Sequence, residues 1–188
     1  MQLKEKVIIR KAADYNPDHI KKIIQEGLNE FGLTSRVRGR VTIKPNVVMA
    51  HHEIAPSAFT RAEFLDGLLF ALKVRKRDDL RITIAEKCGA GLPTARMFRR
   101  AGYHSLKKKH KIRLLPIEEA RKKRIPLQKG KIHTKITTAR EIADNDFLIY
   151  APKLKGNILS RGLTAALKLN MGILLDRERM WNHNFNLD

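Results

Sequence analysis

Short apolar runs alternate along this chain with longer stretches in which apolar residues recur every three or four positions, the pattern of strands interleaved with amphipathic helices. Lys6 to Ala12 (KVIIRKA) reads as a first strand. Asn16-Pro17-Asp18 then opens a helix to about Phe31, with Ile20, Ile23, Ile24, Leu28 and Phe31 on one face and Gly32 closing it. Arg40 to Ile43 predicts a short strand that ends in Lys44-Pro45-Asn46, where proline stops the pairing. Thr60 reads as the cap of a second helix, with Glu63 completing a capping box and Leu65, Leu68, Leu69 and Leu72 carrying it to about Val74.

The same alternation continues. Leu80 to Ala85 (LRITIA) predicts a strand, and Pro93 opens a helix that ends near Gly102. A short helix from Ser105 precedes a strand over Ile112 to Leu115, and Ile117 to Arg124 is helical in character and highly basic. Ile132 to Thr137 predicts a strand paired with Ile125 to Gln128, and Phe147 to Tyr150 the last clear one. Strands in turn with helices predict a single α/β domain over 1–188, a mostly parallel sheet with helices on both faces in three layers.

Composition narrows the setting. Of 188 residues, 43% are hydrophobic, enough for a folded core. No apolar run approaches the roughly 18 residues of a membrane span, and the N-terminal residues lack a signal-peptide core; a cytoplasmic protein with no membrane partner is expected. One cysteine, Cys88, excludes a disulfide framework and an iron–sulfur cluster held within this chain. It reads as a small packed residue. His51-His52-Glu53 lacks the helical spacing of a metal site, so no metal is expected.

Charge adds a second theme. Lys and Arg number 39 against 19 Asp and Glu, a net of +20, and residues 95 to 135 alone hold 15 against two. A field of that size favours polyanions or anionic small molecules. Arg99, Arg100, Lys107, Lys108, Lys109, Arg121, Lys122, Lys123 and Arg124 are the candidates for nonspecific contact with nucleic-acid phosphates. Only Phe98 and Tyr103 lie among them, too few aromatics for base-specific reading of a single strand.

The candidate chemistry of the fold itself lies at the ends of strands. Lys44 and Asn46 follow one strand, Glu86 another, and Lys153, Lys155 and Asn157 the last. In an open parallel sheet that edge is where ligands bind. From Phe147 to Gly172 the chain reads as strand, lysine-bearing loop with a Gly-Asn turn, then a helix capped by Thr164, carrying Lys168 and stopped by Gly172. Such a succession can hold phosphate or carboxylate oxygens; equally, these are solvated loop lysines of a lysine-rich protein. Cys88-Gly89-Ala90-Gly91 lacks both full phosphate-loop patterns and reads as a turn. Glu86 stands at a strand end as a candidate general base or ligand contact.

Ile43-Lys44-Pro45-Asn46, the helix from Thr60, LRITIAE, FRRAGY at Phe98 to Tyr103, Phe147 to Lys155, Leu163 to Lys168 and Met171-Gly172 together resemble the domain of unknown function 362 family, in order and over almost the whole chain. The resemblance implies an α/β domain, sometimes fused to a ferredoxin-like module, and marks Lys44, Asn46, Lys153, Lys155, Thr164, Lys168 and Gly172 as matching motif positions. The chain departs from the family where Lys155-Gly156-Asn157 stands for the usual Lys-Thr-His, and where Lys168-Leu169 stands for Lys-Asn. No ferredoxin cysteines are present, and the family domain normally continues beyond the segment matching Trp181 to His183, so the chain is similar to its N-terminal part. The expected function is binding of an anionic small molecule at the sheet edge, through Lys44, Asn46, Lys153, Lys155, Asn157, Thr164 and Lys168. The alternative is nucleic-acid binding on the basic 95–135 face.

Overall fold

A computed structural model of the chain describes residues 6–74, 78–129, 134–157, 162–164 and 167–183; residues 156–157, 162–164, 167–168 and 180–183 are described by their backbone. Four strands form one parallel sheet: β1 (Arg40–Pro45), β2 (Arg81–Glu86), β3 (Arg113–Pro116) and, further along the chain, β6 (Phe147–Ala151), in the order β3-β2-β1-β6. Between the last two in sequence comes an antiparallel hairpin of β4 (Lys122–Pro126) and β5 (Lys135–Ala139).

Parallel strands need both faces covered, and here two apolar clusters do so. Side chains alternate across a strand, so Val41 and Ile43 of β1 and Ile82 and Ile84 of β2 share one face. There they meet α2 (Ala62–Leu72) through Leu65, Leu68, Leu69 and Leu72, α3 (Thr94–Arg100) through Met97 and Phe98, and α4 (Tyr103–His110) through Tyr103 and Leu106. On the other face Ala85 and Leu115 pack with Ile117, Ala139 of β5, Ile173, and Ile142 of α5 (Arg140–Ala143). Helices therefore flank the sheet on both sides, in three layers.

α1 (Pro17–Glu30) lies outside α2, with Asn16 capping it through Oδ1 to the Asp18 amide. Of its predicted apolar face, Ile20 is buried and Ile24 and Leu28 pack on the core, whereas Phe31 is exposed. Gly67 allows the two helices to touch. A Cβ there would stand 2.6 Å from Ile20 Cβ and 2.7 Å from the Pro17 carbonyl oxygen.

Several local expectations are corrected. Lys6 to Ala12 is not a strand, since no strand among the described residues pairs with it. Thr60 does not cap α2, whose preceding residue is Arg61; its hydroxyl accepts from the Asn46 amide at 3.0 Å and donates to the Ala151 carbonyl at 2.7 Å. Ile117 to Arg124 is no helix: one 3₁₀ turn (Ile117–Glu119) leads into β4, where antiparallel pairing with β5 satisfies the backbone. Finally, Lys155–Asn157 forms a strand, β7, instead of a turn, and pairs antiparallel with β8 (Gly162–Thr164). Thr164 thus ends a strand instead of starting a helix, and the expected helix is a 3₁₀ segment over Leu167–Ile173. Ala165 and Ala166, expected as its first helical residues, and Ile132, expected to begin β5, lie outside the described residues. Pro45, expected to end pairing, is still in register with Ala151.

Gly67→Ala weighs a helix-propensity gain of about 1 kcal/mol against a backbone clash that only separating α1 from α2 relieves. Overpacking of this kind costs about 1–3 kcal/mol, so net destabilisation is expected, read as a lower urea midpoint.

Candidate functional site

The chain runs from β1 through β2 to β3 on one side of the sheet, then returns to the other side of β1 as β6. The strand order reverses between β1 and β6, which stay in register to their last residues, Pro45 and Ala151, and such a switch point is where open α/β sheets bind ligands. Lys44, Asn46 and Lys153 all belong to this corner, since Pro45 and Ala151 are register partners. Lys155 and Thr164 are register partners on the β7–β8 ribbon that follows, with Asn157 opposite Gly162. Lys168 lies on the 3₁₀ segment.

The three lysines whose side chains are described differ sharply. Lys44 is 1% exposed, and its Nζ donates to Glu86 Oε2 at 2.6 Å and to the Pro45 carbonyl at 2.9 Å. Glu86, 2% exposed, also accepts from the Val47 amide. Lys153 is half-buried and donates to the Tyr15 hydroxyl; its ammonium sits 5.1 Å from the ring centroid, and the Arg61 guanidinium lies 4.9 Å from the same ring. Lys155 is half-buried and engaged. Asn46 is committed to the scaffold: its side-chain amide donates to the Ala58 carbonyl at 2.9 Å.

Glu86, weakly marked in the sequence, is the centre of this corner. Burial raises its pKa to about 7, against the opposing effect of Lys44. Burial likewise lowers the pKa of Lys44, again against its partner. Both shifts run toward the neutral forms, so desolvation outweighs attraction for each member. Across the 2.6 Å between them, the amine and the carboxyl are thus brought closer in basicity.

Gly172 covers the pair. A Cβ at this position would fall 1.8 Å from Glu86 Oε1 and 2.5 Å from Lys44 Nζ, while the Gly172 carbonyl accepts from the Lys87 amide at 2.8 Å. Only glycine brings backbone this close. Behind it, buried Arg179 of α6 (Asp176–His183) donates to the carbonyls of Lys87 and Cys88 at 2.6 and 2.7 Å, and its charge works to lower both pKa values of the pair. Arg179 carried no sequence signal; its role depends on where α6 lands. Cys88 is buried, with Sγ near Thr94 Oγ1 and the Leu92 carbonyl.

The basic stretch is dispersed. Arg99 and Arg100 end α3, and Lys107, Lys108 and Lys109 end α4, all exposed. Lys109 pairs with Asp66 at 2.7 Å, Lys123 with Asp144, and Lys122 donates to the Ile117 carbonyl. Arg121 and Arg124 are exposed beside them. His51 Nδ1 accepts from the Ile54 amide and His52 meets the Arg100 carbonyl; among the described residues no three His, Cys, Asp or Glu side chains are grouped to hold a metal. No helix of the described residues is long and apolar enough to cross a membrane.

A family model described as "Domain of unknown function (DUF362)" matches residues 41–187. No curated protein and no solved structure matches the chain.

Two outcomes follow from the buried pair. Lys44→Met strands a buried carboxylate and is expected to cost about 3–5 kcal/mol; the double variant Lys44→Met/Glu86→Leu should recover much of that in urea unfolding. Because the folded carboxyl of Glu86 holds its proton up to about pH 7, while an unfolded one releases it near 4.3, its contribution to stability falls as pH rises between those values. The stability difference between wild type and Glu86→Gln should change across that window and flatten above it.

Proposed function

The chain belongs to the DUF362 family, and for this member we propose that the crevice at the carboxyl ends of β1 and β6 binds a small molecule bearing phosphate or carboxylate. The observation that carries this reading is the Lys44–Glu86 pair, sealed under Gly172 at the edge of the sheet. A pair whose burial costs more than its attraction returns adds little to stability. Perturbed, desolvated titratable groups of this kind cluster at sites of chemistry.

Around that pair the reading assigns Lys153, Lys155 and Lys168 to the anionic oxygens, and Asn157 and Thr164 to polar contacts from the ribbon. Asn46 supports the crevice wall through its bond to Ala58. With its two basicities drawn together, the pair has the chemistry of a general acid and base, suited to moving a proton on a bound carbon acid or carboxylate. The setting proposed is the cytoplasm.

Native mass spectrometry of protein purified from its source should reveal a co-purifying phosphorylated or carboxylated metabolite. Titration with inorganic phosphate and with malonate should then show at least tenfold weaker binding for Lys155→Met/Lys168→Met than for wild type. Equal affinity in the two proteins would sink the proposal.

A further inference from the structure

At the opposite end of the sheet lies a cleft of about 520 Å³ that no candidate residue from the sequence lines. Three neighbouring strands each open on an arginine: Arg40, Arg81 and Arg113. Arg40 and Arg81 are register partners, and Arg113 is the partner of Thr83. Residues 81 and 83 share a face by strand alternation, so all three arginines leave the sheet on one side. That is the side of α5, whose first residue, Arg140, lines the cleft with Lys111.

Five cations thus face two lining carboxylates, Glu141 and Asp144. The carboxylates are already engaged, Glu141 with Arg113 at 2.6 Å and Asp144 with Lys123 and Arg140, while Arg40 is held by Asp146. Arg81 and Lys111 are exposed and have no acidic partner among the described residues. Lys111 also occupies the left-handed region, with φ 49°. Glycine or asparagine suits such a helix end better, so a lysine here puts a charge where conformation alone would not choose one. Lys73 nearby has a lowered pKa, through burial first and repulsion by Lys111 second.

We infer that this arginine row is a docking surface for a nucleic-acid backbone, gripped through its phosphates. The shape favours a polymer over a single phosphate group. At about 4.8 Å between strands, the row extends roughly 10 Å across the sheet, with Arg113 set two residues further along than Arg81, so its cations are spread along a line. The Arg121 carbonyl accepts from the Arg140 amide at 2.9 Å, which joins the hairpin to the same face. No aromatic side chain lines the cleft, so contact is by charge and without base stacking. This surface is independent of the crevice at the other edge.

The test is fluorescence anisotropy with labelled duplex DNA and duplex RNA of mixed sequence, across a salt series, with vesicles of phosphatidylserine and phosphatidylcholine as the competing polyanion. The variant Arg81→Gln/Lys111→Asn removes the two cations without acidic partners and keeps a residue that tolerates positive φ. Affinity for duplex DNA is expected to fall at least tenfold at low salt, and the log–log salt slope by about two, near 0.9 per lost contact. Lys153→Met should bind nucleic acid as wild type does. If the first variant fails to melt cooperatively, Arg81→Gln/Arg140→Gln is measured in its place. An unchanged slope and affinity in the folded variant, or tighter binding to the vesicles than to either duplex, would overturn the inference.

Discussion

At the carboxyl ends of β1 and β6, the polar groups of a single threonine hold the corner together. Thr60 donates its amide to the Asn46 carbonyl, accepts the Asn46 amide on its hydroxyl, donates that hydroxyl to the Ala151 carbonyl, and receives the Tyr103 hydroxyl on its own carbonyl. Those bonds tie the ends of both strands to α4 in a region sealed from water, where an unmade hydrogen bond costs about 1–3 kcal/mol. The entry to α2, the direction in which Asn46 leaves β1, and the width of the crevice all follow from this node.

Against that fully satisfied corner, the neighbouring ion pair is the exception. Lys44 and Glu86 are as deeply buried as any core leucine, yet each would be closer to its ordinary pKa in water. Apolar residues of the same volume would fill the space at lower cost. The scaffold around the pair supplies the difference through two closely packed faces and Arg179, which stitches α6 to the chain after β2.

The sheet was legible because buried parallel strands leave short apolar runs, and the glycines and prolines between them mark the turns. Thr60 was misread because a threonine three residues before a glutamate looks the same whether its hydroxyl serves the helix ahead or strands behind; the carbonyl of Ala151, 91 residues away, decides it. The stretch from Ile117 failed for the same reason, since β5 competes for its backbone. The corner lysines were found by their position after strands, but that Lys44 is buried and Lys153 lies on Tyr15 depends on chain far from both. The row of Arg40, Arg81 and Arg113 is invisible in one dimension: it exists only once register sets three strand beginnings side by side.

Gly172 carries one more consequence. Its backbone is among the groups that keep water from the ion pair, so covering the pair and setting its charge are coupled. If burial drives Lys44 and Glu86 toward their neutral forms, then ionising them must in turn favour lifting that backbone away, by the same free energy with opposite sign. The position of this one glycine's backbone and the charge state beneath it are therefore linked.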